Sequence, residues 1–153
     1  MAVFDLELPN DTIKEFQQLY DNADEIFGKM TEAGAKAVMI NVESKAPAVL
    51  KGHFKVSKIY MTPSDGGINT KVYCSGYIPF ADPNRTYFTR RGNGGVYSTT
   101  KGVPAEFLAN MYEYGRSTYP FPKHPFFRSA FSKSIIEQAM LQAQQSASNG
   151  LLV

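Results

Sequence analysis

Glu113-Tyr114-Gly115-Arg116-Ser117-Thr118-Tyr119-Pro120-Phe121-Pro122-Lys123-His124-Pro125-Phe126-Phe127-Arg128-Ser129-Ala130 is one continuous piece of structural punctuation. Gly115 can take the left-handed conformation that ends a regular element. Pro120, Pro122 and Pro125 fix three φ angles within six residues and push their predecessors towards extended geometry. Pro125 stands where a first helical residue would stand, ahead of an apolar-periodic run. Tyr119, Phe121, Phe126 and Phe127 supply more aromatic surface than a solvated linker carries. The segment is therefore expected to be an ordered, anchored connection. Pro122-x-x-Pro125 also matches a polyproline ligand pattern, but a structural connector is the simpler reading.

Upstream, Val103-Pro104 opens a short run, Ala105 to Tyr114, with Phe107, Leu108, Met111 and Tyr112 at helical spacing and Pro104 at the first helical position. Downstream, a last helix is expected from about Pro125 to Gln145, with Phe127, Ala130, Phe131, Ile135, Ala139 and Met140 on its apolar side. The Ser/Gly-rich tail from Gln144 is expected to fray, leaving 146–153 flexible.

The N-terminal third reads as a long helix. Pro9-Asn10-Asp11 is a start signature, Asp21-Asn22 a potential break, and Ala46-Pro47 a stop, since a residue before proline is disfavoured from α. Ile26, Met30, Ala33, Ala37 and Ile40 form one stripe at 4-3-4-3 spacing. Glu25–Lys29 and Glu32–Lys36 are i,i+4 pairs in the favoured order. Ala33, Gly34, Ala35 and Ala37 would let a sheet or another helix approach closely. Phe54–Thr62 and Ile68–Tyr77 then read as strands around the turn Ser64-Asp65-Gly66-Gly67, with Ile68, Thr70, Val72 and Cys74 sharing a face. A second, more polar hairpin spans 78–101 around Gly92-Asn93-Gly94-Gly95. It is expected to project, either as a plain surface hairpin or as an arm reaching a neighbour or DNA through Arg85, Arg90 and Arg91. The expected class is α+β: an N-terminal and a C-terminal helix packed on a small antiparallel sheet, in one domain of 153 residues.

Such a chain can bury about 68–70% of its unfolded surface and needs no disulfide or metal staple. The single Cys74 lies in a strand-like run and reads as a buried or half-buried apolar side chain, suited to a reducing compartment. Met1–Pro9 carries Asp5 and Glu7 and lacks the apolar core of a signal peptide. No apolar run approaches the roughly 18 residues of a membrane helix. Net charge is +2 but unevenly spread: residues 1–50 hold nine acidic and four basic side chains, and residues 51–153 hold five and twelve. That polarity suits head-to-tail association of an acidic with a basic face, though an acidic solvated helix beside basic loops would also produce it. A basic surface facing nucleic acid is a third reading.

Catalytic chemistry is hard to find. His53 and His124 stand apart from any metal-ligand spacing, and His124 before Pro125 suits capping or packing. There is no G-x-S-x-G elbow. Tyr97 stands where a third glycine of a dinucleotide fingerprint would be needed, and no Gly-Lys-Ser/Thr follows the glycines. No catalytic, cofactor-binding or metal residue is assigned, and the chain is expected not to be an enzyme.

Glu113-Tyr114-Gly115-Arg116-Ser117, then Lys123-His124-Pro125-Phe126-Phe127-Arg128-Ser129-Ala130, resembles the tail-component family of long-tailed bacteriophages and prophages, also called tail-completion or head–tail joining proteins. Ser44-Lys45-Ala46-Pro47 with Gly52-His53-Phe54 is similar to that family's helix ending in Ala-Pro and the glycine before its first strand. The order of elements matches over most of residues 10–145. Ser129 stands where a second proline is common, Ala48–Lys51 lacks a frequent Asp-Thr, and the 78–101 hairpin looks like an insertion. The resemblance implies a structural virion protein of the neck or tail, forming a ring, commonly hexameric, with DNA passing through its lumen. Its partners would be copies of itself, the head-side connector and tail-tube or terminator proteins. Glu113, Tyr114, Gly115, Pro125, Phe126 and Arg128 become the candidate motif and interface residues, with Arg128 the one to hold a neighbour or a carboxylate such as Glu113. A tail terminator, or a nucleic-acid-binding module using Arg85, Arg90, Arg91 and Lys101, are the alternatives.

Overall fold

A computed structural model describes residues 10–64, 66–82, 84, 87–90, 96–99, 101–116 and 121–149. The chain is α+β, as its patterning implies. The N-terminal helix is divided into α1 (Asn10–Asp21) and α2 (Ala23–Lys45). The break falls at Asn22, whose side chain bonds back to the Gln18 carbonyl oxygen instead of pointing on along the helix. α2 stops at Ala46, which turns extended (ψ 145°) ahead of Pro47 while its N–H still closes onto the Val42 carbonyl. Glu25–Lys29 and Glu32–Lys36 form ion pairs of 2.6 Å on its wet side. The bond from Lys29 holds the Glu25 carboxyl below its ordinary range.

The buried face of α2 follows the stripe that the spacing suggests only at its start, where Ile26 is buried and Met30 half-buried, and then departs from it. Ala35, Val38 and Val42 are buried and Ala46 continues the line, whereas Ile40 is 67% exposed and Ala33 and Ala37 are half-buried. Two apolar stripes run along this helix, and the one that meets Leu50 and Phe54 became the core. Both fit a 3.6-residue period, so periodicity alone does not rank them.

Strand β1 (Phe54–Val56) pairs antiparallel with β4 (Val72–Cys74), and β2 (Tyr60–Met61) with β3 (Ile68–Asn69). They make one interrupted hairpin, joined where the Ser57 N–H donates to the Lys71 carbonyl. Its tip is closed by the Thr62 N–H on the Gly67 carbonyl and the Gly66 N–H on the Thr62 carbonyl. Ile68, Thr70, Val72 and Cys74 are all half-buried, while Lys71 and Tyr73 are exposed. The second hairpin pairs β6 (Tyr87–Arg90) with β7 (Val96–Thr99), and these strands pack chiefly on each other. Its base is the two-residue ladder of β5 (Tyr77–Ile78) and β8 (Val103–Pro104).

Helix α3 spans Ala105–Tyr114. Pro104 is the last residue of β8 and caps the helix from outside instead of occupying its first turn. α4 begins at Lys133, not at Pro125. Residues 128–130 form a separate 3-10 turn, and the chain re-enters helix where the Ile136 N–H reaches the Ser132 carbonyl. α4 also continues to Asn149, into the stretch whose composition suggests fraying. There the Ser146 and Ser148 hydroxyls bond to the Gln142 and Gln144 carbonyls, and Ala143 and Ala147 are half-buried.

α4 packs mainly along α2 and lies antiparallel to it. Asn41 near one end of α2 donates to the Ala130 carbonyl, and Gly34 further back faces Ile136 and Met140. A Cβ at Gly34 would lie 3.1 Å from Met140 Cγ, so the small residue sets how close the helices come. Ile136 and Met140 are half-buried, and Ile135 is exposed. The core sits at that same C-terminal end of α2, where Val38, Val42, Ala46, Leu50, Phe54, Ala105, Phe126 and Ala130 form one cluster.

Gly102, at φ +119°, lets the second hairpin rejoin the body. A Cβ there would overlap the Ile78 carbonyl and lie 2.9 Å from Pro79 Cα. Gly102→Ala is therefore expected to destabilise the fold by about 2–4 kcal/mol. Thermal unfolding checks this; an unchanged midpoint would show that the hairpin base is not closed in this way.

Candidate assembly site

Glu113 lies on the last turn of α3 and is buried, at 8% exposure. A carboxylate in such a place is costly unless its lone pairs are met. They are: Oε2 accepts the Phe126 and Phe127 N–H groups, each at 2.9 Å, and Oε1 accepts the Arg128 N–H at 3.2 Å. The Arg128 Nε is 3.9 Å from Oε1. One side chain thus organises the consecutive amides of the turn that leads into residues 128–130.

Between these partners the chain makes the excursion that the prolines imply. Gly115 caps α3 with φ +76°, and its N–H closes onto the Met111 carbonyl. A Cβ at Gly115 would lie 2.9 Å from the Phe121 carbonyl oxygen, because the chain doubles back there. Arg116 and Phe121 exchange backbone hydrogen bonds of 3.1 and 3.3 Å. The His124 N–H then donates to the Tyr112 carbonyl at 2.7 Å, and Phe121 packs edge-on against Tyr112 at 5.0 Å. Pro122 to Pro125 stay exposed, and Pro125 lies in the extended run, not in a helix.

Phe126 is the buried anchor. Its ring meets Phe54 edge-on at 5.9 Å, and Phe127 leans on Phe54 at 6.2 Å. The segments Ser44–Phe54 and Glu113–Ala130 therefore meet in the core. A second tie joins them where Lys45 Nζ donates to the Ser129 carbonyl oxygen. Arg128 points outward, its side chain 74% exposed, with the guanidinium 5.0 Å over the Tyr114 ring and a 3.0 Å bond to the Tyr114 hydroxyl.

Beside this clamp lies an open groove of about 580 Å³, lined mainly by Tyr73, Tyr114, Phe126, Phe127, Arg128 and Phe131, with Cys74 among its walls. Nothing in the patterning pointed to this groove, because its walls come from β4, α3 and the 126–131 turn. Burial pushes the Cys74 thiol up to about 11, with the Glu106 carboxylate adding to it. Arg90 falls in β6, but its side chain lies outside the described residues, as do Arg85 and Arg91 altogether. Among the described residues no three of His, Cys, Asp and Glu converge as metal ligands, and no helix is long and apolar enough to cross a membrane. Compared with protein-family models, curated proteins and solved structures, the chain matches none.

Glu113→Ala leaves buried N–H groups without acceptors and is expected to cost about 3–5 kcal/mol in urea unfolding. Glu113→Gln, which keeps an acceptor oxygen but sets an NH2 against one donor, is expected to lose about 2 kcal/mol. An alanine variant as stable as the parent would mean that the carboxylate does not hold the turn.

Cys74 offers a second check. A pKa raised from 9.0 to about 11 lowers the thiolate fraction at pH 8 by about 100-fold. The greater nucleophilicity of the more basic thiolate returns about tenfold, so disulfide exchange with an aromatic disulfide reagent is expected about tenfold slower in the native than in the unfolded chain. Equal rates would place the thiol in open solvent.

Proposed function

We propose that the protein is a structural virion subunit of a long-tailed bacteriophage or prophage, forming a ring at the neck that completes the tail and joins it to the head-side connector. The observation that carries this reading is the meeting of the two family-like segments. Glu113 grips the Phe126–Arg128 amides while Phe126 and Phe127 pack on Phe54, so the resembling residues form one physical unit and not a scatter of short matches.

The surface chemistry supports a role in assembly over one in catalysis. The groove sets Tyr73, Tyr114, Phe126, Phe127 and Phe131 beside Glu106, Asn110 and Arg128, and its thiol, held near 11, is a poor nucleophile at neutral pH. The uneven charge, −5 over residues 1–50 and +7 over residues 51–153, would suit a subunit with two unlike faces. A ring built from head-to-tail contacts needs two such faces. A net charge of only +2 suits a lumen through which DNA slides, since a dense basic row would hold it. The site of action would be the virion neck, assembled in the host cytoplasm.

Electron microscopy of the purified chain, alone and with the neighbouring neck proteins, is expected to show rings, and the protein is expected in mature particles. A strictly monomeric protein that never enters virions would overturn the proposal. Capping of unterminated tail tubes by the added protein would move it to the tail end of the same junction, as a terminator.

A further inference from the structure

The lysines of this chain fall into two groups. Those on the helices have partners: Lys14 pairs with Asp11, Lys29 with Glu25, Lys36 with Glu32 and Lys133 with Glu137, and Lys45 bonds to the Ser129 carbonyl. Lys55, Lys58 and Lys71, on the first hairpin, are exposed and have no carboxylate within ion-pair distance among the described residues. Residues 51–77 hold four lysines and one acidic residue, Asp65 at the turn.

The pleat of the hairpin sets these side chains on one side. Phe54 and Val56 turn inward, so Lys55 between them turns outward, directly across the ladder from Tyr73. Ile59 lies against α2, where a Cβ on Gly28 would come within 3.1 Å of it, so its neighbours Lys58 and Tyr60 point the other way. Lys71, two residues before Tyr73, stands over the Tyr60 ring at 4.8 Å. Lys55, Lys58, Tyr60, Lys71 and Tyr73 thus share the outer face, and all five are exposed. Glu106 borders the groove next to Tyr73 but stands on α3, not on this face.

We propose that this face is a contact surface for nucleic acid, holding the phosphate backbone without reading the bases. Lys55, Lys58 and Lys71 each neutralise a phosphate, and the hydroxyls of Tyr60 and Tyr73 donate to phosphate oxygens. Lysines with aromatic rings between them are the usual make-up of a backbone track. Base reading needs the forked donors of Arg, Asn or Gln, and the amide opposite Tyr60, that of Asn69, is already spent on Thr62 and Gly67. The acidic side chains of a second copy match the face less well. Glu25, Glu32 and Glu137 are paired within their own helices, and Glu43 accepts the Gly52 N–H. Three phosphate contacts give weak binding that lets a nucleic acid slide. The surface is separate from the Glu113 clamp, and the proposal does not rest on the ring reading.

Fluorescence anisotropy of a labelled DNA duplex of mixed sequence, titrated with the full chain at several salt concentrations, tests this. Three phosphate contacts give a slope of log K against log salt of about −2.7 for one engaged subunit, or about 40-fold weaker binding between about 50 and 200 mM salt. Lys55→Gln, Lys58→Gln and Lys71→Gln are each expected to reduce the slope by about a third, however many subunits engage, with an unchanged thermal midpoint. Lys29→Gln and Lys36→Gln, on α2, are expected to leave the slope as it is. No binding at low salt would overturn the proposal and leave the ring reading standing. A slope that none of the three hairpin substitutions changes would also overturn it, by placing the contact elsewhere on the chain. Polyglutamate or phosphatidylserine vesicles that bind as tightly as the duplex at equal charge would overturn it too, by assigning the face to an acidic protein or a membrane.

Discussion

The Glu113 carboxylate is the constraint on which the rest of this structure leans. A carboxylate so nearly enclosed is tolerated only where its charge is met, and three consecutive backbone N–H groups meet it. That one interaction joins the end of α3 to the turn before α4 across a proline-rich excursion. It sets Phe126 into the core, and the carbonyls of Ser129 and Ala130 then face Lys45 and Asn41 at the end of α2. The last helix is thereby launched back along α2. Without the carboxylate, the stiffness of Pro120, Pro122 and Pro125 would define a shape for the connector but no docking point.

The cost of this arrangement is a core gathered at one end of the molecule. Val42 and Leu50 are the large side chains fully enclosed there, while α4 buries no residue completely. Ile13, Phe16 and Tyr20 on α1, and Tyr73, Tyr114 and Phe131 at the groove, remain in solvent. Isolated exposed apolar groups need no explanation, but rows of them along a helix face and around a concave surface are the usual mark of association. The exposed surface and the one-sided core go together, because the apolar side chains that the core does not gather stay in solvent.

Much of this was readable in advance where the signal is local. The stops at Ala46 and Gly115, the Glu–Lys pairs of α2 and the two hairpins follow from φ restriction, short-range charge and turn chemistry. The buried stripe of α2 did not follow, because two apolar faces compete and the choice depends on where Leu50 and Phe54 arrive. α4 starts at Lys133 and not at Pro125 for a related reason. Pro125 satisfies the rule for a helix start, yet the Phe126–Arg128 amides are taken by Glu113 and held in a turn. Residues 144–149 of the Ser-rich tail are helical, with Ala143 and Ala147 partly covered, which composition does not report, while 150–153 lie outside the described residues.

The class of the fold, the ends of the helices at Ala46 and Gly115, and a stiff aromatic connector are all written into the order of neighbouring residues. These are properties of neighbouring residues, and their physics acts over a few bonds. Which face of α2 is inside, the closing of the connector by Glu113, and the placing of Tyr73, Tyr114 and Phe131 around one groove come from packing between distant segments. Those outcomes depend on distances between segments far apart in the chain. The desolvation of a carboxylate and the fit of aromatic rings against Phe54 act only once the segments have met.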